Sequence, residues 1–383
     1  MQFIADRKQM LAVCKNLARL LPDKSPIEDL TGILIDADEN SGAIKLTAVT
    51  MELMLQYRLP ASVGTGGRMV LNGRLLAEMM PLLSGEKVSF ETRDGSNVAH
   101  INCDNTIYQL LYLKGKHFPE KDAEISGDSF QLSGIASLVK QTVFAARSRM
   151  QSSDDLLTNA KLDIYPGEMH ITCTDGVKLA TARRKQENKG QTRLLIPVKT
   201  LSLLAGICGD EAVSVKNEGS RIVFEGENFT FAARTMSGEF MDTNALLSKI
   251  KPVYIAIVNA REFWSDVDRM TTLAEPGDTV LMAFCEDGIA IRHQNENGSF
   301  STISDAVVYN AMSGDGIHYS VSEMHQALRH IDGNLQISID SFGNMLLKGS
   351  DLCYFLSFRR QRKVSAKPDT KKKKTTKAVK KAA

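Results

Sequence analysis

The stretch Thr158–Arg184, TNAKLDIYPGEMHITCTDGVKLATARR, decides the fold that the sequence predicts. It indicates two strands joined by a turn at Pro166–Gly167, with a second tight turn at Thr174–Gly176. Asp-Gly favours such a turn, because glycine accepts a positive φ and aspartate can accept hydrogen bonds from the backbone that follows.

The first strand of this stretch alternates between apolar and charged residues. Leu162 and Ile164 alternate with Lys161 and Asp163. A period of two predicts one buried face and one exposed face.

The neighbourhood of this stretch recurs along the chain. A pattern of apolar strand, helix start, Gly-containing turn and second strand begins at three sites, Met69–Leu71, Leu194–Ile196 and Ile317–Tyr319. The final residues of these strands lie 125 and 123 positions apart, and the helix starts are marked by Asn72, Pro197 and Ser320. Each unit opens with a strand that leads into a helix, at Phe3–Leu21, Phe130–Arg149 and Tyr254–Leu273. Each closes with a strand, at Ile107–Leu113, Phe229–Thr235 and Tyr354–Phe358.

This recurrence predicts three copies of one α+β domain. We place them at residues 1–125, 126–250 and 251–360, followed by a tail at 361–383. The length of 383 residues suits three cores of roughly 120 residues better than one.

Composition narrows the cellular setting. No apolar run reaches the roughly 20 residues that a membrane helix needs, and the N-terminus has no apolar signal-peptide core. The six cysteines lack CxxC spacing, which indicates free thiols in a reducing cytoplasm and neither disulfides nor a metal site. We therefore predict a cytoplasmic protein without a membrane partner or a cofactor.

Charge is distributed unevenly. Residues 359–383 hold 12 Lys and Arg against one Asp, so they carry +11, and residues 1–358 carry −9 within the total of +2. An acidic body is not typical of a domain that grips DNA over its whole surface. The basic segment lacks aromatic residues and predicts a disordered tail.

Two helices nevertheless predict a basic face. At 100° per residue, Lys8, Lys15 and Arg19 fall together, opposite an apolar stripe. In the second unit, Lys140 and Arg147 align in the same way. One such face is ordinarily just solvated, but equivalent faces in repeated domains can follow phosphates without reading bases.

Catalytic and phosphate-binding signatures are missing from the sequence. It contains no GK[ST], HExxH or GxSxG motif, and its seven histidines are dispersed. We therefore predict that the protein is not an enzyme. A catalytic site assembled from dispersed residues is the alternative from another functional class.

In the order and spacing of these segments, the chain resembles the bacterial DNA polymerase III beta sliding clamp family over about residues 1–360. The most specific matches are TNAKL…TCTDGVKLA, the segment Gly238–Asp242 and the strand Tyr354–Arg359. The resemblance implies a head-to-tail homodimer that forms a ring, with helices lining the hole and sheets outside. It also implies a processivity factor that encircles duplex DNA without sequence preference and binds DNA polymerase and clamp loader through short peptides. A clamp-like paralogue that acts as a regulator or partner scaffold is the alternative.

The resemblance and the basic faces together predict three groups of site residues. The residues expected to face DNA are Lys8, Lys15, Arg19, Arg74, Lys140, Arg147, Lys199, Arg261 and Arg329. The resemblance places a partner-peptide cleft at Thr158, Thr174, Gly176, Val177, Lys178, Leu179, Met241, Ala245, Leu246, Tyr354, Leu356, Ser357, Phe358 and Arg359. It places the dimer contact at Tyr108, Leu110 and Leu273.

The chain departs from the family pattern within the cleft. Val177 stands where the family usually has histidine, and Met241 and Ser357 stand where prolines are common. The cleft should therefore remain apolar while its preferred peptide changes.

Overall fold

The computed structural model describes residues 1–93, 95–119, 129–148, 156–188 and 190–357. Phe358, Arg359 and the basic tail lie outside the described residues. Within the described ranges, strands and helices follow one another in an order that recurs three times, so we refer to a first, second and third repeat.

Each repeat contributes two packed helices and two runs of antiparallel strands. The first repeat comprises β1 (Gln2–Asp6), α1 (Arg7–Ala18), β2 (Gly32–Asp38), β3 (Ala43–Val49), β4 (Leu53–Thr65), β5 (Gly67–Asn72), α2 (Gly73–Met79), β6 (Lys87–Thr92), β7 (Val98–Cys103) and β8 (Thr106–Leu111). The second comprises β9 (Ser129–Leu132), α3 (Ile135–Thr142), β10 (Asn159–Tyr165), β11 (Glu168–Thr174), β12 (Lys178–Lys185), β13 (Thr192–Pro197), α4 (Val198–Cys208), β14 (Val213–Glu218), β15 (Arg221–Glu225), β16 (Phe229–Arg234) and α5 (Thr243–Ser248).

The third repeat follows the same order. It comprises β17 (Pro252–Asn259), α6 (Ala260–Thr271), β18 (Thr279–Cys285), β19 (Gly288–Asn295), β20 (Gly298–Ser304), β21 (Val307–Val308), β22 (Ile317–Ser320), α7 (Val321–Leu328), β23 (Asn334–Asp340), β24 (Met345–Lys348) and β25 (Leu352–Leu356). The mixed α+β class and the recurring strand–helix units predicted from the sequence are confirmed.

Local chemistry explains where the helices begin. The side chain of Asp6 accepts a hydrogen bond from the backbone of Gln9, and Asn72 and Ser320 cap α2 and α7 in the same way. The helices pack in pairs, α1 on α2, α3 on α4 and α6 on α7. Their apolar faces enter the core, as Met10, Cys14 and Leu17 of α1 illustrate.

Sheets run continuously from one repeat into the next. β4 of the first repeat pairs antiparallel with β16 of the second, and β12 of the second pairs with β25 of the third. The same two places in the repeat are used at both seams, because β4 and β12 are equivalent strands and β16 and β25 are equivalent strands. The seams are therefore built from backbone hydrogen bonds as well as side chains.

The predicted exposed face of β10 is wrong. Lys161 and Asp163 are only 5% and 3% exposed, although they alternate with the buried Leu162 and Ile164. The lysine ammonium lies 3.1 Å from the Asp163 carboxylate and donates to Thr243 Oγ1 at 3.3 Å. The segment around α5 covers this face of the sheet, so Lys161 and Asp163 are buried together and each is the counter-ion of the other.

The second predicted helix is shorter than the sequence suggests. α3 ends at Thr142 and continues as a single 3-10 turn over Val143–Ala145, so Arg147 lies beyond the helix. The hydroxyl of Thr142 donates to the carbonyl of Leu138 at 2.8 Å. Two successive β-branched residues and this competing side-chain bond favour the end of the helix at that point.

Candidate functional site

The predicted turn after β11 is confirmed and forms a rigid corner of the second seam. Asp175 Oδ1 accepts from the backbone N–H groups of Val177 and Lys178 at 2.8 and 2.9 Å, and Gly176 adopts φ +92°. Arg147 donates to the carbonyl of Asp175 at 2.8 Å. Burial opposes ionisation of Asp175, but the Lys178 ammonium and these two backbone donors outweigh it and lower the pKa of Asp175.

The final strand of the third repeat completes this corner. Lys178 is opposite Leu356, Leu179 is opposite Phe355, and the backbone of Ser357 donates to the Val177 carbonyl at 3.3 Å. The predicted cleft residues at 174–179 and 354–357 are thus brought together by one strand pairing.

The sheet divides these residues between its two faces. Cross-strand partners share a face and successive residues alternate, so Tyr354, Leu356 and Lys178 point toward the helices. The Tyr354 hydroxyl donates to the carbonyl of Gln141 at 2.8 Å, and Lys178 lies 3.8 Å from Glu323 of α7. Tyr354 and Leu356 are fully buried. They pack between repeats and offer no open surface to a peptide.

Leu179 points to the opposite, outer face, where its side chain is buried. Its neighbours across the strands are Phe355 and, one strand further, Leu346 of β24. We name these three side chains the apolar row. Phe355 is half-buried and is absent from the sequence prediction, although its alternation with Tyr354 and Leu356 is a signal that could have found it.

A second aromatic side chain was missed at the same end of the sheet. Phe342 occupies the turn between β23 and β24 and is 77% exposed. The turn is fixed because Asp340 Oδ1 accepts from the backbone of Phe342 and of Asn344 at 2.9 and 2.8 Å. The fixed turn therefore holds the Phe342 side chain out into solvent.

The segment around α5 lies on the same outer face, because Thr243 accepts from Lys161 and Asn244 lines a cavity with Thr181 and Cys353. Met241 is exposed, and Ala245 and Leu246 are half-buried. Asp242 accepts from the backbone of Ala245 at 3.0 Å and starts the helix.

Thr158 lines a cavity at the first seam, which Arg147 also lines. Arg147 connects that cavity to the corner, because it donates to the carbonyl of Asp175.

The cationic residues predicted to face DNA are mostly exposed, and they differ in their partners. Lys8 and Lys15 lie on the exposed side of α1, and Arg19 is exposed directly after the helix. Arg74 is paired with Asp23, and Arg261 is paired with Asp332 at 3.3 Å. Cations of the third repeat are thus paired with carboxylates of the same repeat, and Arg269 is also paired with Asp266. Asp268 accepts from His325 at 2.8 Å if the imidazole Nε2 is protonated.

Most of the remaining cations gather at the seams. Arg19, Arg147 and Lys199 line one cavity of about 790 Å³ between the first and second repeats, together with Arg234 and Glu52. At the second seam, burial lowers the pKa of His330, and the nearby charges of Arg329 and Lys140 lower it further. The structure therefore brings Lys140 of α3 close to Arg329, which follows α7.

The predicted dimer residues lie on or near two strands that end their sheets within the described part of the chain. Tyr108 and Leu110 are half-buried on β8, which ends its sheet, while their neighbours Ile107 and Leu111 are 66% and 78% exposed. Leu273 lies 4.0 Å from the Cβ position of Gly298, at the start of β20, which ends another sheet. Open edges with exposed apolar side chains are sites where another strand can pair.

The described residues contain neither a metal-binding cluster nor a membrane-spanning helix. No group of three or more His, Cys, Asp or Glu side chains in the described ranges is arranged to hold a metal ion. No helix in that part of the chain is long and apolar enough to cross a membrane.

Comparison with known proteins gives consistent matches. Residues 1–122 match the N-terminal domain of the DNA polymerase III beta subunit, and residues 130–242 match its central domain. A beta sliding clamp of Staphylococcus epidermidis is 24% identical over 369 residues, covering 92% of this chain and 96% of the relative. The crystal structure of the Bacillus subtilis DNA polymerase sliding clamp superposes with a TM-score of 0.84 at 21% identity, covering 94% of this chain and 100% of that one. The Thermotoga maritima beta subunit gives a TM-score of 0.83 at 16% identity, with the same coverage.

Proposed function

Since the chain belongs to the DNA polymerase III beta subunit family, we propose that it is a DNA sliding clamp, a processivity factor that encircles duplex DNA and tethers the replicative polymerase. The observation that carries this proposal is the match of two consecutive domains of that family over most of residues 1–242. The regulatory paralogue is not favoured, because relatives aligned over nearly the whole chain bear the name beta sliding clamp. We assign the chain no catalytic step of its own.

A closed ring forms if the strand pairing seen at the two seams also occurs between two copies of the chain. Within the chain, β4 pairs with β16 and β12 pairs with β25. The equivalent strands left over are β20 of the third repeat and β8 of the first, and both are sheet edges. Pairing β20 of one copy with β8 of another, and the reverse, closes a head-to-tail homodimer of six repeats. Tyr108, Leu110 and Leu273 lie at this contact.

DNA would pass through the hole, held by cations that form no ion pair with another described residue. Lys8, Lys15, Arg19, Lys140 and Lys199 are exposed on helices or at helix ends of the first two repeats. Such side chains attract phosphates without sequence preference, and the acidic remainder of the body keeps DNA away from the outside.

Partner proteins would dock at the second seam. Short peptides of the polymerase and the clamp loader would bury apolar anchors on the outer face, against the half-buried Phe355 and the exposed Phe342 and Met241. Leu179 and Leu346 are buried beneath that surface. The division into domains at 1–125, 126–250 and 251–360, the cytoplasmic location and a DNA-related role for the tail belong to the same proposal.

Primer extension tests the function. On primed circular DNA, with the cognate polymerase and loader, the protein should lengthen the products made in one binding event. The matched control is the same reaction with Leu111→Asp, which places a charge on the open edge of β8. Product lengths unchanged by the natural protein would contradict the proposal. Light scattering should give a dimer at micromolar concentration for the natural chain and a monomer for the variant.

A further inference from the structure

A cation-lined pocket lies on the outer face beyond the apolar row. It has a volume of about 310 Å³, and its lining includes Thr181, Arg183, Asn244, Lys348, Asp351 and Cys353. Thr181, Cys353 and Lys348 are cross-strand neighbours on β12, β25 and β24, so they form one row of the outer face. We name this cavity the outer pocket.

The outer pocket is close enough for one ligand to span both sites. Leu179 and Thr181 are two residues apart on β12, as are Leu346 and Lys348 on β24. Because a strand rises about 3.3 Å per residue, the two rows are about 7 Å apart. An extended peptide covers that distance with two residues. Asn244 of α5 also lines the outer pocket.

The charge of this face is opposite to that of the body. Residues 1–358 carry −9, yet the lining of the outer pocket holds two cations, Arg183 and Lys348, against one carboxylate, Asp351. Asp163 is shared between Lys161 at 3.1 Å and Arg193 at 2.6 Å, which leaves one positive charge in excess. Arg183 lies 3.6 Å from Asp351.

Lys348 contributes a further positive charge at the lining itself. Its side chain is exposed at the end of β24, and it stands opposite Cys353 in the sheet. Positive side chains beside the outer pocket thus equal or outnumber the carboxylates. The pocket therefore favours a negatively charged ligand over a positively charged one.

We propose that the outer pocket binds a carboxylate side chain of a partner peptide, about two residues from the apolar anchor that packs on the outer face. Lys348 supplies the charge, and Asn244 and Thr181 supply hydrogen bonds to the carboxylate. This inference rests on the proposed function, and it specifies the partner as an apolar anchor combined with aspartate or glutamate.

Fluorescence polarisation with labelled ten-residue peptides tests the proposal on the full chain. Each peptide carries one Leu-Phe anchor and an Asp or an Asn two residues before or after it. In one of the two orientations, the Asp peptide should bind about fivefold more tightly than its Asn counterpart. Lys348→Glu should abolish or reverse this difference. Lys45→Glu, an exposed lysine on β3 of the first repeat, is the matched control and should preserve it.

Three results would overturn the proposal: equal affinity of Asp and Asn peptides in both orientations, an Asp preference that survives Lys348→Glu, or the same loss in Lys45→Glu. The last two would assign the preference to overall charge or to the basic tail. Primer extension separates this failure from failure of the proposed function, because a clamp without acidic preference still lengthens products.

Discussion

The buried pair of Lys161 and Asp163 offers a quantitative test of how the outer face is held together. The Asp163 carboxylate also lies 2.6 Å from Arg193, but the Arg193 side chain is 62% exposed, so the loss of that pair contributes little. Asp163→Asn further removes the carboxylate that lies 3.1 Å from the ammonium of Lys161, a residue that is only 5% exposed. At that distance and an effective dielectric of about 20, the lost attraction is about 5 kcal/mol. Thr243 Oγ1 still accepts from the ammonium, so we expect a net loss of about 3 kcal/mol, the lower end for breaking a buried pair.

Hydrogen–deuterium exchange of the β10 amides is the suitable assay, because a chain of three repeats need not unfold in one step. A loss of about 3 kcal/mol corresponds to exchange faster by about 100-fold. Lys161→Met with Asp163→Leu removes both charges together and should restore slow exchange to within about tenfold. Exchange in Asp163→Asn within threefold of the natural protein, or a double variant as fast as the single one, would refute the reasoning.

Further predictions concern charge, pH and reactivity at the sites. Lys15→Glu should weaken DNA binding and flatten the dependence of DNA affinity on salt. Arg261→Glu should change the affinity and its salt dependence much less, because Arg261 already has Asp332 as a counter-ion. Filter binding across a salt series distinguishes the two variants. The pKa of Asp175 is lowered on folding, so the stability that its carboxylate adds to the folded protein is fully present above about pH 4. That stability is lost as the pH falls through the pKa of Asp175 in the folded protein. Asp175→Asn should therefore remove the part of the melting temperature that depends on acid pH. Burial raises the pKa of the Cys353 thiol to about 11, so iodoacetamide should label it slowly at pH 8 by mass spectrometry, although it lines the outer pocket.

Patterns that depend on neighbouring residues were predictable from the sequence. The turn at Asp175–Gly176, the caps at Asn72 and Ser320 and the buried stripe of α1 all follow from residues within one or two turns of each other. Their recurrence at a spacing near 125 residues then indicates repeated domains, because the same local signals appear in the same order.

Features that join distant segments were not predictable. Lys161 is buried because α5, about 80 residues later, covers its strand, and Asp163 acquires Arg193 from another strand. Periodicity alone gives no sign of such a cover.

The apolar row was missed for a similar reason. It combines Leu179 with Phe355, which are more than 170 residues apart, and only their register in the sheet shows that they share a face. Tyr354, one residue earlier, consequently packs against the helices.

Topological linkage to DNA tests the central claim most directly. The protein is loaded onto nicked circular DNA by the cognate loader and then separated by gel filtration in high salt, which removes electrostatic contacts. A sliding clamp should remain with the circle and should be lost when a restriction enzyme cuts that circle into a linear molecule. Loss from the intact circle in high salt, or equal retention on circular and linear DNA, would contradict the account.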